Sequence, residues 1–393
     1  MRVSLQRFGR DLALSSAVAG FVAVLVGYTS SVVIIFQAAQ ALGASAAELT
    51  SWLWALGIGM GLSSAGLSLW YRQPVLTAWS TPGAALLVTA GAGVSLAEGI
   101  GAFVLCAGLI TLAGVTRAFE RVMDRIPQPL AAALLAGVLA RFALDAFGAL
   151  RTDFVLVGTM LAAYLLGRRF WPRYAVPVLL LVGLAVAASQ GQLHLGAIEW
   201  RWAQPVWTTP VFSLRGAVGV ALPLFVVTMA SQNLPGVAAQ RAAGYAIPVS
   251  PVITATGVLN LVLAPFGGYA YNLAAITAAI CMGREAHEDP ARRYTASVVA
   301  GLIYGVMGLA GGAVVGLIAA FPKALVLAVA GLALLGSIGG GLATALEAPK
   351  WRESALITFL VTLSGVALLG IGSAFWGVVA GALAAAIQQA RAR

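Results

Sequence analysis

Charged side chains are scarce in this chain. Only 9% of its 393 residues are Asp, Glu, Lys or Arg, whereas 61% are hydrophobic. Charged residues make up about a quarter of soluble globular domains, so this composition excludes a soluble fold. The apolar runs do not alternate in polarity as outer-membrane strands do. The composition therefore predicts an all-α polytopic membrane protein.

Cysteine and histidine are nearly absent. The two cysteines, Cys106 and Cys281, lie in apolar surroundings, which argues against a disulfide framework or a metal site. The two histidines fall in distant loops, and no predicted membrane face gathers His, Asp and Glu. A membrane-embedded enzyme, such as a lipid-modifying transferase, is therefore disfavoured. We expect no catalytic residues, no cofactor and no metal.

The apolar runs predict fourteen membrane spans. A long polar connection at about 191–214 separates two sets of seven, and because seven is odd the second set is expected to be inverted in the membrane. With both termini in the cytoplasm, most of the 23 Lys and Arg residues fall in inner connections, as the positive-inside rule requires. The net charge of +10 is thus an orientation signal, and no nucleic-acid partner is expected. The spans are roughly 12–39, 51–70, 74–92, 97–116, 128–146, 152–168, 174–190, 215–237, 248–263, 265–282, 292–319, 323–346, 354–371 and 373–390.

The third and tenth spans are interrupted at matching places. Residues 79–83 read Trp-Ser-Thr-Pro-Gly, and residues 267–272 read Gly-Gly-Tyr-Ala-Tyr-Asn. Each passes from an extended piece into a helix, which we expect to start at the Thr81 N-cap and after Gly268. Unwound backbone at membrane depth is tolerated only inside protein or beside a polar cavity, so the breaks indicate a transporter's substrate site. Helix N-termini offer free N–H groups and positive potential, which suit a carboxylate.

Polar clusters in the first, third, eighth and tenth spans supply the candidate contacts. For Thr29 and Ser30, helix packing and substrate contact both remain open. Gln232 and Asn233 are costly to bury, which favours a site role. No acid lies in the eighth or tenth span, so the site suits an anion and leaves the proton carrier unassigned. The candidate substrate-binding residues are Tyr28, Thr29, Ser30, Thr81, Gly83, Gln232, Asn233, Gly268, Tyr269, Tyr271 and Asn272.

Six segments carry a resemblance to a known family: 27–37, 74–83, 125–129, 229–236, 265–272 and 287–290. At these segments the chain resembles the benzoate/proton symporter family, which looks like a branch of the nucleobase, ascorbate and sulfate transporter superfamily. The resemblance implies a seven-plus-seven inverted repeat, with the third and tenth spans built as a short strand plus a half-helix. It also implies a core domain (1–126 and 211–320), a gate domain (127–210 and 321–393), elevator-like movement and dimers formed through the gate.

The resemblance departs from the nucleobase members at the site. They place Glu or Gln before an Asn where this chain has Tyr271-Asn272, and an acid near Gln232. Losing both acids favours an aromatic carboxylate over a neutral nucleobase. The hypothesis is proton-coupled import of benzoate across a bacterial inner membrane, with Gln232 and Asn272 donating to the carboxylate and Tyr269 and Tyr271 beside the ring. A transporter or exchanger of another small anion or nucleobase, and a passive channel, remain alternatives.

Overall fold

The computed structural model describes residues 5–90, 93–193, 202–311, 313, 320–366, 368 and 373–391, and they are mostly helical. The helices of the first half are α1 Leu5–Asp11, α2 Leu14–Ala41, α3 Ala46–Tyr71, α4 Thr81–Ala90, α5 Leu96–Val115, α6 Ala118–Met123, α7 Gln128–Gly148, α8 Phe154–Phe170 and α9 Ala175–Ser189. The second half has α10 Leu214–Ala242, α11 Val249–Leu263, α12 Ile276–Met282, α13 Tyr294–Leu309, α14 Lys323–Glu347, α15 Arg352–Ser364 and α16 Ser373–Arg391. Two short strands are β1 Thr77–Ala78 and β2 Asn272–Leu273.

Local signals in the sequence set several helix ends. Ser45 opens α3 with a capping box, in which its hydroxyl accepts from the Glu48 backbone and the Glu48 carboxylate accepts from the Ser45 backbone at 2.8 Å. Ser95 and Glu98 open α5 in the same way. Such boxes satisfy backbone donors that have no partner within the helix. Two of the apolar runs therefore begin at defined residues.

Within the described residues, six helices are long and apolar enough to cross a membrane: Ala46–Tyr71, Leu96–Val115, Gln128–Arg151, Leu214–Ala242, Val249–Phe266 and Lys323–Glu347. Three shorter apolar helices are Leu14–Tyr28, Ala175–Ser189 and Ser373–Gln388. Large apolar side chains such as Leu112 and Leu181 are 57% and 65% exposed, as expected for a surface that faces lipid. The helices fit a multi-pass membrane protein, and the count of fourteen spans stays a prediction.

The described helices pack in two sets. The first packing group contains α2, α3, α4, α5, α11, α12 and α13, with close pairs α3–α13 and α5–α11. The second packing group contains α7, α8, α9, α14, α15 and α16, centred on α7 and α14. Helix α10 contacts α4 and α5 in the first group and α7 in the second. It therefore joins the two groups.

The strands β1 and β2 pair with each other across the chain. They run antiparallel, with Thr77 opposite Leu273 and Ala78 opposite Asn272, and the Ala274 N–H donates to the Leu76 carbonyl at 2.9 Å. This pairing corrects the expected start of the second half-helix. Residues 269–275 stay non-helical because β2 pairs with β1, so α12 begins at Ile276 rather than after Gly268.

The contact between α3 and α13 depends on glycine. A Cβ added at Gly57 would overlap the backbone of Gly308. We expect Gly57→Ala to lower the free energy of unfolding by about 1–3 kcal/mol, because the helix backbones must move apart. Gly66→Ala in the same helix is the matched control, since its Cβ would meet no atom within 4 Å. Thermal unfolding of both variants in detergent tests this, and equal stability of the two would refute the close contact.

Candidate functional site

A cavity of about 620 Å³ opens beside the paired strands. It lies where α2, α4, α10, α12 and α13 meet α7. A volume of this size is within the range of small-molecule sites, roughly 300–1,000 Å³. The polar and charged side chains that line it are Tyr28, Ser31, Thr81, Arg141, Gln232, Thr277 and Tyr304.

One wall of the cavity is aromatic. The Tyr28 ring lies edge-on to Trp79, with centroids 4.7 Å apart, and its centroid is 5.8 Å from that of Tyr304. The Trp79 indole donates to the Ser31 hydroxyl at 2.9 Å, and Ser31 donates to the Gly27 carbonyl at 2.8 Å. These bonds fix the indole. The wall presents aromatic groups of the kind against which a planar apolar ring packs.

Helix α4 begins beside the cavity, but its cap differs from the expected one. The Ser80 hydroxyl accepts from the Gly83 backbone N–H at 3.1 Å, so Ser80, not Thr81, is the N-cap. Thr81 is then the first residue of the helix and lines the cavity. Pro82 has no N–H group. The Thr81 backbone N–H is therefore the donor in the first turn of α4 that the Ser80 cap leaves without a partner.

Gln232 reaches the cavity from an irregular turn of α10. Residues Met229–Asn233 form a π-helical segment, and such segments are frequent at functional sites. Gln232 lines the cavity, whereas the Asn233 side chain accepts from the Leu273 backbone N–H at 2.9 Å. The two adjacent amide side chains therefore have different surroundings. Gln232 is available to a ligand, and Asn233 holds strand β2.

The Tyr28 hydroxyl group has no hydrogen-bond partner among the described residues. The residue is only 1% exposed, yet it lines the cavity, and its oxygen makes no hydrogen bond within the described chain. A buried hydroxyl without a partner is costly. A ligand in the cavity can supply the missing acceptor.

Tyr269 and Tyr271, which were expected beside the substrate ring, are not among the residues that line this cavity. Tyr269 packs on Phe103 and Trp52 at centroid distances of 5.3 and 5.8 Å. The Tyr271 hydroxyl donates to the Ala55 carbonyl at 2.7 Å. Both side chains are fully buried against the first packing group. They pack the unwound segment against α3 and α5.

Three other predicted contacts also lie outside the cavity lining. The Asn272 amide donates to the Ala270 carbonyl at 3.0 Å within the β2 segment. Added Cβ atoms would meet Leu224 at Gly83 and the Tyr271 hydroxyl at Gly268, so these glycines permit close packing. The side chains of Thr29 and Ser30 lie outside the described residues. Of the predicted residues, the structure brings Tyr28, Thr81 and Gln232 together at the cavity.

Arg141 and Phe142 also line the cavity, from α7, and neither is among the residues predicted from the sequence. Arg141 lies inside Gln128–Gly148, within the predicted fifth span. A lone cation within an apolar helix was the available signal, because such residues are rare in spans and mark sites. Among the described residues that line the cavity, none is acidic, and Arg141 is the single charged residue. The described chain also contains no group of three or more His, Cys, Asp or Glu that could hold a metal.

Comparisons with known proteins agree on a family. A family model described as "Benzoate membrane transport protein" matches residues 10–387. The chain is 52% identical over 363 residues to the inner membrane protein YdcO of Escherichia coli, covering 92% of this chain and 93% of that protein. It is 41% identical over 384 residues to the benzoate membrane transport protein of Acinetobacter baylyi, covering 98% of each.

Two solved structures are also similar to the chain. One is the transmembrane domain of a cyanobacterial bicarbonate transporter, BicA, with 14% identity, coverage of 95% and 96%, and a TM-score of 0.46. The other is SLC26A9, with 12% identity and a TM-score of 0.48; the match covers 96% of this chain and 65% of that one.

The α4 cap gives a paired test. Ser80→Ala removes the acceptor of the Gly83 N–H and also the partner of the Thr228 hydroxyl, which donates to Ser80 at 3.1 Å. We expect the free energy of unfolding to fall by about 1–2 kcal/mol. Thr81→Ala should leave stability within about 0.5 kcal/mol of the parent. Chemical unfolding in detergent measures both, and the opposite order would make Thr81 the cap.

Proposed function

The chain belongs to the benzoate membrane transport protein family, and from this premise we propose that it imports benzoate or a similar aromatic carboxylate together with protons. A family relative is named an inner membrane protein, and the chain itself has several helices of span length. The protein is a multi-pass membrane transporter. Its substrate, its coupling to protons and its mechanism are the parts that we propose.

The observation that carries the proposal is the chemistry of the cavity. An aromatic carboxylate is a flat apolar ring with an anionic end. The ring fits the wall of Tyr28, Trp79 and Tyr304, where an aromatic pair contributes about 0.5–1.5 kcal/mol beyond the area buried. The carboxylate then meets the Gln232 amide, the Thr81 hydroxyl and the unpartnered Tyr28 hydroxyl. Gln232 thus keeps its expected donor role, and Tyr28 replaces Asn272.

A nucleobase or another small anion on the same fold is the second candidate. A nucleobase presents donors as well as acceptors, and a buried donor needs an acceptor such as a carboxylate. The described cavity lining offers no acidic side chain. A small inorganic anion would leave the aromatic wall without a partner. Both features favour the aromatic carboxylate.

We assign the mechanism to an elevator-like movement between core and gate. The first packing group, with α10, corresponds to the core domain (1–126 and 211–320), and the second to the gate domain (127–210 and 321–393). An inverted seven-plus-seven repeat, cytoplasmic termini and a dimer formed through the gate complete the proposal. The pairing of β1 with β2 supports it, because each strand lies just before a short helix that borders the cavity.

An ion pair connects the two packing groups. Arg168 of α8 contacts Glu285, which follows α12, at 2.5 Å, and the Glu285 side chain is only 7% exposed. A sliding movement of one group against the other must break this contact. The pair is therefore expected to form at one end of the transport cycle and to be broken at the other.

Transport itself gives the decisive test of function. We expect purified protein in liposomes to accumulate radiolabelled benzoate when the outside is made more acidic than the inside, and to stop when an ionophore collapses the gradient. Unlabelled benzoate should compete, whereas uracil and sulfate should not. Accumulation of uracil or sulfate without benzoate would refute the substrate. Benzoate flux that ignores the proton gradient would indicate a channel or a uniporter.

The movement can be tested by cross-linking. In a background where Cys106 and Cys281 are replaced by Ala, we expect Arg168→Cys combined with Glu285→Cys to react with a short bifunctional thiol reagent. The cross-link should stop benzoate uptake, and a cleavable reagent should restore it after reduction. Each single-cysteine variant serves as a control for loss of the ion pair. Full uptake by the cross-linked protein would rule out sliding at this contact.

A further inference from the structure

Arg141 is a charged side chain inside an apolar helix. It occupies the second half of α7, between Ala140 and Phe142, and lines the cavity from the second packing group. Tyr28, Trp79 and Tyr304 line the cavity from the first group. The cation and the aromatic wall therefore belong to different packing groups.

Arg141 has no carboxylate partner within the described chain. The described ion pairs involve Arg72, Arg168, Arg241 and Arg292, and none includes Arg141. An arginine in a membrane span is costly unless it is paired or faces a polar cavity. Its position in the cavity wall reduces that cost, and an anionic ligand would reduce it further.

The end of α15 positions the guanidinium group. Gly365 ends this helix with a φ of +71°, and a Cβ there would overlap Nη1 of Arg141. Glycine therefore provides both the left-handed turn and the space that the guanidinium occupies. A helix C-terminus also carries partial negative charge, which stabilises a nearby cation. The guanidinium group therefore lies against the end of α15, on a residue that is otherwise exposed.

We propose that Arg141 binds the carboxylate of the substrate from the gate side and gives the site its preference for anions over neutral aromatic molecules. This inference rests on the proposed function. A planar guanidinium matches a carboxylate in a two-point hydrogen bond, which a neutral carboxamide cannot reproduce with the same strength. A bound substrate would then connect α7 to the aromatic wall. Binding would draw the two packing groups together around the ligand.

The test compares benzoate with its neutral analogue benzamide. Equilibrium binding to the full-length protein in detergent gives a Kd for each compound. We expect Arg141→Gln to weaken benzoate binding by roughly tenfold to a hundredfold, the effect of losing one charged hydrogen-bonded pair. Benzamide binding should change by less than about threefold, because a neutral amide gains little from the charge. Retained benzamide binding also shows that the variant is folded.

Three further variants sharpen the comparison. Arg141→Lys keeps the charge but loses the planar fork, so we expect it to recover part of the benzoate affinity. Gly365→Ala should displace the guanidinium and weaken benzoate more than benzamide. Arg151→Gln is the matched control, since this exposed arginine follows α7 and is not among the lining residues of the cavity. It should bind both compounds like the parent.

The outcomes separate this inference from the proposed function. If the parent binds benzoate and Arg141→Gln binds it equally well, the role of Arg141 is refuted and the transport function stands. Equal loss of both compounds in Arg141→Gln also refutes a charge-selecting role. If the parent protein binds no aromatic carboxylate at all, the proposed function itself fails.

Discussion

The fold depends on satisfying backbone hydrogen bonds deep within an apolar protein. Residues 74–80 and 267–275 are not helical, so their N–H and C=O groups need partners from elsewhere in the chain. Strands β1 and β2 provide some of these partners to each other. Serines of α3 provide others: Ser64 accepts from the Thr77 N–H at 3.0 Å, and Ser68 donates to the Val75 carbonyl at 2.8 Å. With these bonds made, α4 and α12 can begin inside the protein.

The same constraint divides the polar residues into two kinds. Asn233 and Asn272 form hydrogen bonds with the unwound backbone, and the Tyr271 hydroxyl anchors that segment to the Ala55 carbonyl of α3. Tyr28 and Gln232 instead line the cavity. The cavity has an aromatic side and several hydrogen-bond donors, among them Thr81, Gln232 and Arg141. Such an arrangement selects a ligand by the position of one charged end relative to a ring.

Part of this arrangement could be predicted from the sequence. The composition predicted a membrane protein, and the residue types at 79–83 and 267–272 located both unwound segments. The start of α12 could not be predicted, because the long-range pairing of β1 with β2 decides it. The cap at Ser80 is a local bond, but Ser80 and Thr81 are both favoured N-cap residue types, so residue type alone does not choose between them. The position of Arg141 was missed for a related reason. Its span was predicted at 128–146, but the helices against which α7 packs, and hence the place of Arg141 in the cavity wall, depend on long-range contacts.

The most direct measurement is a crystal structure with 4-bromobenzoate, in which the anomalous signal of bromine locates the ligand. We expect one bromine peak inside the cavity, beside Trp79 and Tyr304, with the carboxylate turned toward Gln232 and Tyr28. Bromine bound only outside this cavity, at any occupancy, would contradict the central claim that substrate occupies the space between the two packing groups.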